Sequence, residues 1–404
     1  VKKVKNVKIF LVSGARPNFM KIAPLWVELK KHPRFRPVIV HTGQHYDRRM
    51  SALFFDQLDL PEPDVCLGVG SGTHGQQTAR IMKSLEPVCL REKPAAVLVV
   101  GDVNSTVASV LVAAKLGIFS IHYEAGLRSN DRSMPEEINR IATDAVCDLF
   151  FTTSADADEN LVRQGIDPDK VFMCGNLMID SLVRHLKKAD GQKAVIHGLD
   201  GKTPVPKSVL TGNYGLMTFH RPANVDSPDQ LKKLTDSWRE IAVDLPLVLP
   251  LHPRTRRRLE ENGLLKDLDQ APGLYLTPPL GYLDFLRLLK GARLVMTDSG
   301  GIQEETTYLH IPCLTVRPST ERPVTISHGT NRLVTVAGLN RAVRETLEKP
   351  PTFKPPPPLW DGKSAGRIVK ILGEKIPGLR RQETGDSRGK SLYLPKYGNV
   401  MDLG

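Results

Sequence analysis

The sequence predicts an α/β protein built as two Rossmann-like, doubly wound domains that face each other across a central cleft. Three observations predict it. Short, continuous Val/Ile/Leu runs recur between amphipathic stretches, the pattern of parallel strands buried on both faces. The series pauses and restarts after Gly175-Asn176. A chain of 404 residues is also too long for one ordinary hydrophobic core.

In the first series Val7 to Val12 reads as a strand with a helix following through Lys30, and Val38 to His41 as a strand with a helix from about Tyr46. Ala95 to Val100 is a strand leading to a helix through Leu116, and Ile118 to His122 and Leu149 to Thr152 continue the set. The second series is Leu216 to Phe219, Leu247 to Leu251, Leu274 to Thr277, Leu294 to Thr297 and Cys313 to Val316. Open parallel sheets bind ligands outside the carboxyl ends of their strands, so the cleft between the two sets of ends is the expected site. Residues 1–180 form the first expected domain and 181–362 the second. Lys187 to Tyr214, rich in Gly, Lys and Pro, is expected to be a variable connection with a short helix. Pro350, Pro351 and Pro355 to Pro358 make Lys349 to Leu359 a stiff extended crossing. A helix at about 363–376 returns to complete the first domain, and 377–404 form an arm.

Composition narrows the class. Hydrophobic content of 40% and charged content of 25% are those of a globular protein in water. No apolar run approaches the ~20 residues that span a bilayer, so no membrane partner is expected. The basic opening VKKVKNVKIFLVSGARP has an apolar run of only Ile9 to Val12 before a Gly-Ala-Arg-Pro turn, and reads as a first strand rather than a signal peptide. Cys66, Cys89, Cys147, Cys174 and Cys313 are scattered, with no C-x-x-C pair, which points to a reducing, cytoplasmic setting and away from a structural metal. The net charge of +12 is local: residues 1–50 carry twelve Lys or Arg against Glu28 and Asp47, a net of +10, leaving +2 for the rest. Without interleaved aromatics this basic face is not expected to bind nucleic acid.

The most informative stretch is Thr297-Asp298-Ser299-Gly300-Gly301-Ile302-Gln303-Glu304-Glu305, at an expected strand-to-helix turn. Free backbone N–H groups, the positive end of a helix dipole and two glycines suit a phosphate or diphosphate. A plain capped helix has the same ingredients. Glu304 and Glu305 are expected in the first turn, one capping and one facing ligand hydroxyls, and Arg322 of Thr320-Glu321-Arg322-Pro323 clamps the same phosphates. Opposite it, Gly14-Ala15-Arg16-Pro17-Asn18 closes the first strand with Lys21 one turn on. Arg16 and Lys21 beside a helix start suit a diphosphate, and equally suit a surface. Asp102 ends another strand, either as a cleft carboxylate or as a routine N-cap.

The segment HYEAGLRSNDRSMPEEINR, His122 to Arg140, is the densest in chemistry. Glu124 follows a buried strand, and Glu136 and Arg140 share a helix face at i, i+4, as an acid with its support or as an ordinary helix pair. Carboxylates from several strand ends meeting in one cleft suit proton transfer, because repulsion and burial raise carboxyl pKa values. His220-Arg221 and His252-Pro253-Arg254 end two strands of the second series, each bringing a His and an Arg to the cleft. Asp156 and Asp158, at i, i+2, diverge on a helix and are expected to be solvated. Gly68, Gly70 and Gly72 lack the strand-to-helix context of a dinucleotide site.

With GARPNFMKIAPL, TGQHYD, GDVNST, HYEAGLRSNDRSMPEEINR, TFHRPANVD and TDSGGIQEETTYLHIPCLTVRPSTERPV in that order over about residues 7–335, the chain resembles the non-hydrolysing UDP-N-acetylglucosamine 2-epimerases. The resemblance implies glycosyltransferase B-like architecture, a UDP-sugar in the cleft, a homodimer, and no metal or nicotinamide cofactor. By motif, it implies that Arg16, Lys21, His220, Ser299, Gly300, Gly301, Glu305 and Arg322 hold UDP, with Tyr282 near the uracil. Asp102, Glu124 and Glu136 become the acids at the sugar, supported by Arg140, with His220 also stabilising departing UDP. Asn18 stands where many members have Glu, and Pro222-Ala223 where Arg-Glu is frequent. Bacterial members resemble one another in a second, regulatory UDP-GlcNAc site. Gln44 and His45 match part of it, but Gln76 and Gln77 follow Thr73-His74-Gly75 with no Arg, so weak or absent activation is expected.

Overall fold

A computed structural model describes residues 6–43, 55, 58–191, 195–352 and 354–377. The first half alternates β1 (Val7–Ser13), α1 (Arg16–Lys30), β2 (Phe35–His41), β3 (Val65–Cys66), α2 (His74–Glu92), β4 (Ala96–Val100), α3 (Asn104–Lys115) and β5 (Phe119–Tyr123). It continues through α4 (Pro135–Val146), β6 (Leu149–Thr152), α5 (Ala155–Arg163), β7 (Val171–Met173) and α6 (Leu177–Asp190). The second half runs β8 (Gly215–Thr218), α7 (Pro222–Val225), α8 (Pro228–Asp244), β9 (Leu247–Pro250), α9 (Pro253–Glu261), α10 (Leu265–Asp269) and β10 (Leu274–Thr277). Then come α11 (Tyr282–Gly291), β11 (Leu294–Thr297), α12 (Gly300–Leu309), β12 (Cys313–Val316), α13 (Val324–Ser327), β13 (Asn331–Val334), α14 (Leu339–Glu348) and α15 (Ser364–Lys375).

The strands form two parallel sheets, in the orders β3-β2-β1-β4-β5-β6-β7 and β10-β9-β8-β11-β12-β13. Both reverse direction of winding at the centre, between β1 and β4 and between β8 and β11. At such a switch point neighbouring loops splay to opposite faces and leave a crevice. Ile9 pairs with Ala96 and Leu294 with Gly215, so the loops after these four strands emerge at matching heights. All five residues of β4 are buried, as are Leu294 to Thr297 of β11, because helices cover both faces.

One core beneath the first sheet joins Ile9 and Leu11 of β1 to Ile22 and Leu25 of α1 and to Ile368, Val369 and Leu372 of α15. The carboxylate of Asp180 caps α15 by accepting from the N–H groups of Ser364 at 3.0 Å and Ala365 at 2.7 Å, anchoring the last helix beside α1. No helix among the described residues is long and apolar enough to cross a membrane.

The differences from the sequence reading are local. The strands β3 and β7 have only two and three residues, too short to carry a hydrophobic period, and β13, Asn-Arg-Leu-Val, breaks the apolar run with two polar residues. Helix α6 runs to Asp190, and the described part of the connection to Tyr214 holds an isolated His197–Pro204 bridge instead of a short helix. Asp158 is not simply solvated: it is half-buried and accepts from the Thr152 hydroxyl, and burial pushes its carboxyl above the ordinary range. The expected helix from Tyr46 and the arm at 378–404 lie outside the described residues.

Candidate active site

The crevice of the first sheet is built on Asn18. Its Oδ1 accepts from the N–H groups of Gly14 at 3.1 Å and Ala15 at 2.9 Å, and its Nδ2 donates to the Val100 carbonyl at 3.1 Å, clipping the loop after β1 to the end of β4. One turn further, the buried Lys21 ammonium reaches Glu124 Oε2 at 2.5 Å. Gly101 has φ +72°, and a Cβ there would lie 3.1 Å from Lys21 Nζ and 3.5 Å from Glu124 Oε2. Both backbone and space therefore call for glycine. Arg16 is the first residue of α1, and its side chain lies outside what is described.

Glu124 adopts φ +69°, a left-handed conformation that costs a non-glycine residue about 1–3 kcal/mol. Its N–H donates to Phe151 O at 3.0 Å, so sheet pairing holds the strained turn in place. Oε2 faces Lys21 on one side and Arg322 Nη2, from the second half of the chain, at 3.9 Å on the other. Oε1 is buried without a hydrogen-bond donor among the described residues.

Asp102 Oδ2 lies 2.5 Å from Arg140 Nη1. The expected Glu136–Arg140 pair is replaced by Glu137, whose Oε2 receives Arg140 Nε at 2.9 Å and Nη2 at 2.6 Å. Glu137 wins because the loop before α4 holds it: Ser129 N–H, Ser129 Oγ and Asn130 N–H each donate to it at 3.0 Å. Burial pushes that carboxyl upward, but the Ser129 and Arg140 donors outweigh it and hold Glu137 below the usual range. Glu136 stays half-buried on the same helix.

In the second sheet the fully buried Asp298 plays the part of Asn18. It accepts from the N–H of His220 at 3.1 Å and of Arg221 at 2.9 Å and from Asn224 Nδ2 at 3.1 Å, tying the loop after β8 to that after β11. His220 Nδ1 lies 3.2 Å from the same carboxylate. Burial lowers the imidazole pKa, against Asp298 and together with Arg221, Arg254 and Arg317. The exposed His252 caps α9, accepting from Arg254 N–H at 3.2 Å, and its ring centroid stands 5.1 Å from that of His220.

Ser299 is the N-cap of α12, and Gly300 and Gly301 are its first two residues. A Cβ on Gly300 would lie 2.8 Å from Arg322 Nη1 and from Glu321 Oε1, whereas one on Gly301 would meet only Met178 Cε at 3.6 Å. The first glycine makes room for the arginine. Glu304 and Glu305 fall in the second turn of α12, not the first, and both are buried. Glu305 accepts from Tyr282 Oη at 3.2 Å, and burial pushes its carboxyl up to about 8. Tyr282 stacks edge-on against His185, with centroids 5.8 Å apart. Burial also raises Glu304, which sits 2.8 Å from Arg322 Nε without the alignment of a hydrogen bond. Arg322 instead makes its side-chain hydrogen bond to Glu321, whose Oε1 accepts from Nη1. Burial works against its charge, but Glu304, Glu321, Glu124 and Asp102 outweigh it and hold the guanidinium well above its ordinary pKa.

The structure therefore brings Lys21, Glu124, Arg322, Asp102 and Arg140 into one cluster beside the Ser299–Gly301 turn, with His220 and His252 on the second sheet. The sequence reading missed the positioning roles of Asp298 and Glu137 and left Glu304 out of the site. The available signal for Asp298 was an ionisable residue directly after the strand Leu294–Thr297, three of whose four residues are apolar. Of the expected regulatory residues, Gln44 and His45 lie outside the described residues. Gln77 is buried and committed internally, donating to Gly70 O at 3.1 Å and accepting from Asn104 Nδ2 at 2.7 Å. Gln76 is exposed, and its carbonyl accepts from Arg80 Nε at 3.3 Å.

Two doubly wound sheets sharing a cleft lined with cations and buried carboxylates define a class: a nucleotide-sugar enzyme of glycosyltransferase B-like architecture. Residues 27–373 match the family model described as UDP-N-acetylglucosamine 2-epimerase, and the chain belongs to that family. It is 41% identical over 370 residues to the UDP-N-acetylglucosamine 2-epimerase of Methanocaldococcus jannaschii, covering 91% of this chain and 99% of the relative. It is 38% identical over 374 residues to the UDP-2,3-diacetamido-2,3-dideoxy-D-glucuronate 2-epimerase of Pseudomonas aeruginosa, covering 91% and 100%. The crystal structure of the M. jannaschii enzyme in complex with UDP-GlcNAc and UDP superposes with a TM-score of 0.82 at 40% identity, covering 91% of this chain and 100% of that one. The Neisseria meningitidis UDP-GlcNAc 2-epimerase bound to UDP-GlcNAc gives 0.80 at 29% identity, covering 91% and 100%.

Proposed function

We propose that the protein inverts C2 of a UDP-sugar, interconverting UDP-GlcNAc and UDP-ManNAc. The observation that carries this reading is Glu124: cations from both halves of the chain flank Oε2, while Oε1 is buried with no donor among the described residues. A carboxylate so held keeps one oxygen for a proton. The C2 proton of a pyranose is hardly acidic until the anomeric diphosphate begins to leave. In this reading the N–H groups at the start of α12, with Arg16, Lys21, His220 and Arg322, receive the developing charge on UDP. The C1–O bond breaks with its electron pair leaving on UDP, a carboxylate takes the C2 proton, and a 2-acetamidoglucal forms. A second acid returns a proton to the opposite face of C2 as a UDP oxygen re-forms the bond to C1. Two faces require two groups, which Glu124, Asp102 and Glu136 supply, with Arg140 steadying Asp102. Glu305, Tyr282 and His252 complete the nucleotide contacts.

Residues 1–180 with α15 and residues 181–362 are taken as the two domains that close on the ligand, and the working unit as a homodimer. A cytoplasmic setting is proposed from the five free thiols. A second substrate reading, a modified UDP-HexNAc, is favoured by the 38% identity to the P. aeruginosa enzyme. An NMR time course with UDP-GlcNAc in D2O tests the proposal. Deuterium at C2 of intact UDP-GlcNAc and UDP-ManNAc is expected. Free ManNAc with stoichiometric UDP would instead mean hydrolysis, and no exchange would exclude this substrate.

A further inference from the structure

Behind the acids, the first sheet buries a second set of charges that the proposed chemistry does not use. His122 in β5 and Asp144 in α4 are almost wholly inaccessible, with Nδ1 and Oδ1 2.6 Å apart. The other ring nitrogen, Nε2, stands 2.9 Å from the Gly101 carbonyl, so both nitrogens face acceptors. Asp144 Oδ2 accepts from Arg128 Nη2 at 2.7 Å and from the N–H of Gly126 at 3.1 Å. Arg128 continues to Gln164 Oε1 at 2.6 Å and to the Leu127 carbonyl at 2.8 Å. Burial works against the Asp144 charge, but His122 and Arg128 outweigh it and hold the carboxyl below its ordinary range.

Burying this many ions is a poor route to stability, since well-packed apolar residues of similar volume often do as well or better. What the network does achieve is spatial. Gly101, whose carbonyl it holds, directly precedes Asp102. Gly126, whose N–H it holds, lies two residues beyond the strained Glu124. Asp144 itself is on the helix that carries Glu136 and Arg140. Three separate chain segments, each bearing one candidate acid, are thus referenced to a single buried carboxylate.

We propose that Asp144, acting through His122 and Arg128, is the positioning residue that sets the relative placement of Asp102, Glu124 and Glu136. The inference rests on the epimerase reading above. All three network side chains are buried behind the candidate acids. Their effect is on the geometry of proton transfer, where a misplacement of about 1 Å costs on the order of 10²-fold in rate.

The test uses the full chain with Asp144→Asn, His122→Gln and His122→Asn, following deuterium incorporation at C2, UDP affinity by calorimetry, and thermal melting. Asp144→Asn keeps shape but sets an amide donor against Arg128, Gly126 or His122. It is expected to lower kcat by about 10²-fold with KM and UDP affinity unchanged. In His122→Gln the amide nitrogen takes the place of Nε2 and keeps Gly101 in position. In His122→Asn it takes the place of Nδ1 and releases Gly101. The Gln variant is therefore expected to retain more kcat than the Asn variant. If Asp144→Asn does not fold, Arg128→Lys carries the same kcat test. Folded Asp144→Asn or Arg128→Lys turning over at the wild-type rate would overturn the proposal. So would equal losses in the two His122 variants that merely track their melting temperatures. A wild-type chain with no exchange overturns the epimerase reading and this inference with it. Wild-type exchange matched by a folded variant overturns this inference alone.

Discussion

Lys21 and Glu124 are 103 residues apart in the sequence, and their Nζ and Oε2 atoms are 2.5 Å apart in a buried pair. The contact fixes α1 against the end of β5 and points one carboxylate oxygen at a cation, while the other meets no donor among the described residues. Removing either partner of a buried pair leaves an uncompensated charge, typically at a cost of about 3–5 kcal/mol. Both Glu124→Gln and Lys21→Ala strand the partner's charge, but Gln keeps the side-chain volume and a carbonyl oxygen that accepts from the Lys21 ammonium, which makes it the milder probe.

Asp102→Asn, Glu124→Gln and Glu136→Gln are each expected to lower turnover by about 10²- to 10⁴-fold while UDP affinity is largely kept. Arg322→Ala is expected to weaken UDP binding by about tenfold or more, because charge-assisted hydrogen bonds contribute about 1.5–3 kcal/mol. Calorimetry with UDP, alongside NMR turnover, checks the division; equal affinity losses in both groups would refute it.

Gly300 and Gly301 are expected to respond differently to the same methyl group. In Gly300→Ala the Cβ falls 2.8 Å from both Arg322 Nη1 and Glu321 Oε1, so this buried ion pair has to shift and the melting temperature is expected to fall along with the grip on UDP. UDP affinity should drop about tenfold, some 1.4 kcal/mol. In Gly301→Ala the nearest atom is 3.6 Å away, so a smaller loss is expected. The reverse order of dissociation constants would contradict the placement of Arg322 over Gly300.

Glu305 makes stability depend on pH in a stated direction. Its carboxyl is raised from 4.5 to about 8, so between those values the folded chain keeps a proton that the unfolded chain has lost. The contribution is fully present below about pH 4.5 and is lost as pH rises through about 8. Glu305→Gln removes that dependence. Urea unfolding at several pH values should show the wild type losing stability relative to the variant as pH climbs; a constant difference would rule out the raised carboxyl.

Activation by UDP-GlcNAc is expected to be weak or absent. The glutamines after Gly75 bring no arginine, and the Gln77 amide is already committed to Gly70 and Asn104. Pure UDP-ManNAc should be epimerised without a lag, and the forward rate should be hyperbolic in UDP-GlcNAc. A lag abolished by traces of UDP-GlcNAc would show that another cation fills the role.

By itself the sequence determined that there are two parallel sheets and most of their strands, because buried parallel strands write themselves as apolar runs such as Ala96–Val100; the edge strands β3, β7 and β13 carry no apolar run of that length. It also marked which strand ends bear polar or charged residues, because Arg16, Asp102, Glu124, His220 and Ser299 each lie just beyond such a run. What it left undecided were the partners. Whether Arg140 pairs with Glu136 or Glu137 depends on donors from Ser129 and Asn130, which no helical spacing encodes. That Gly300 yields its space to Arg322, and that one carboxylate at Asp144 ties together three segments, follow from contacts between elements distant in the chain. Periodicity reports which face of an element is buried. Only the tertiary fold decides which charges are buried together, and it is that shared burial which sets their pKa values and their geometry.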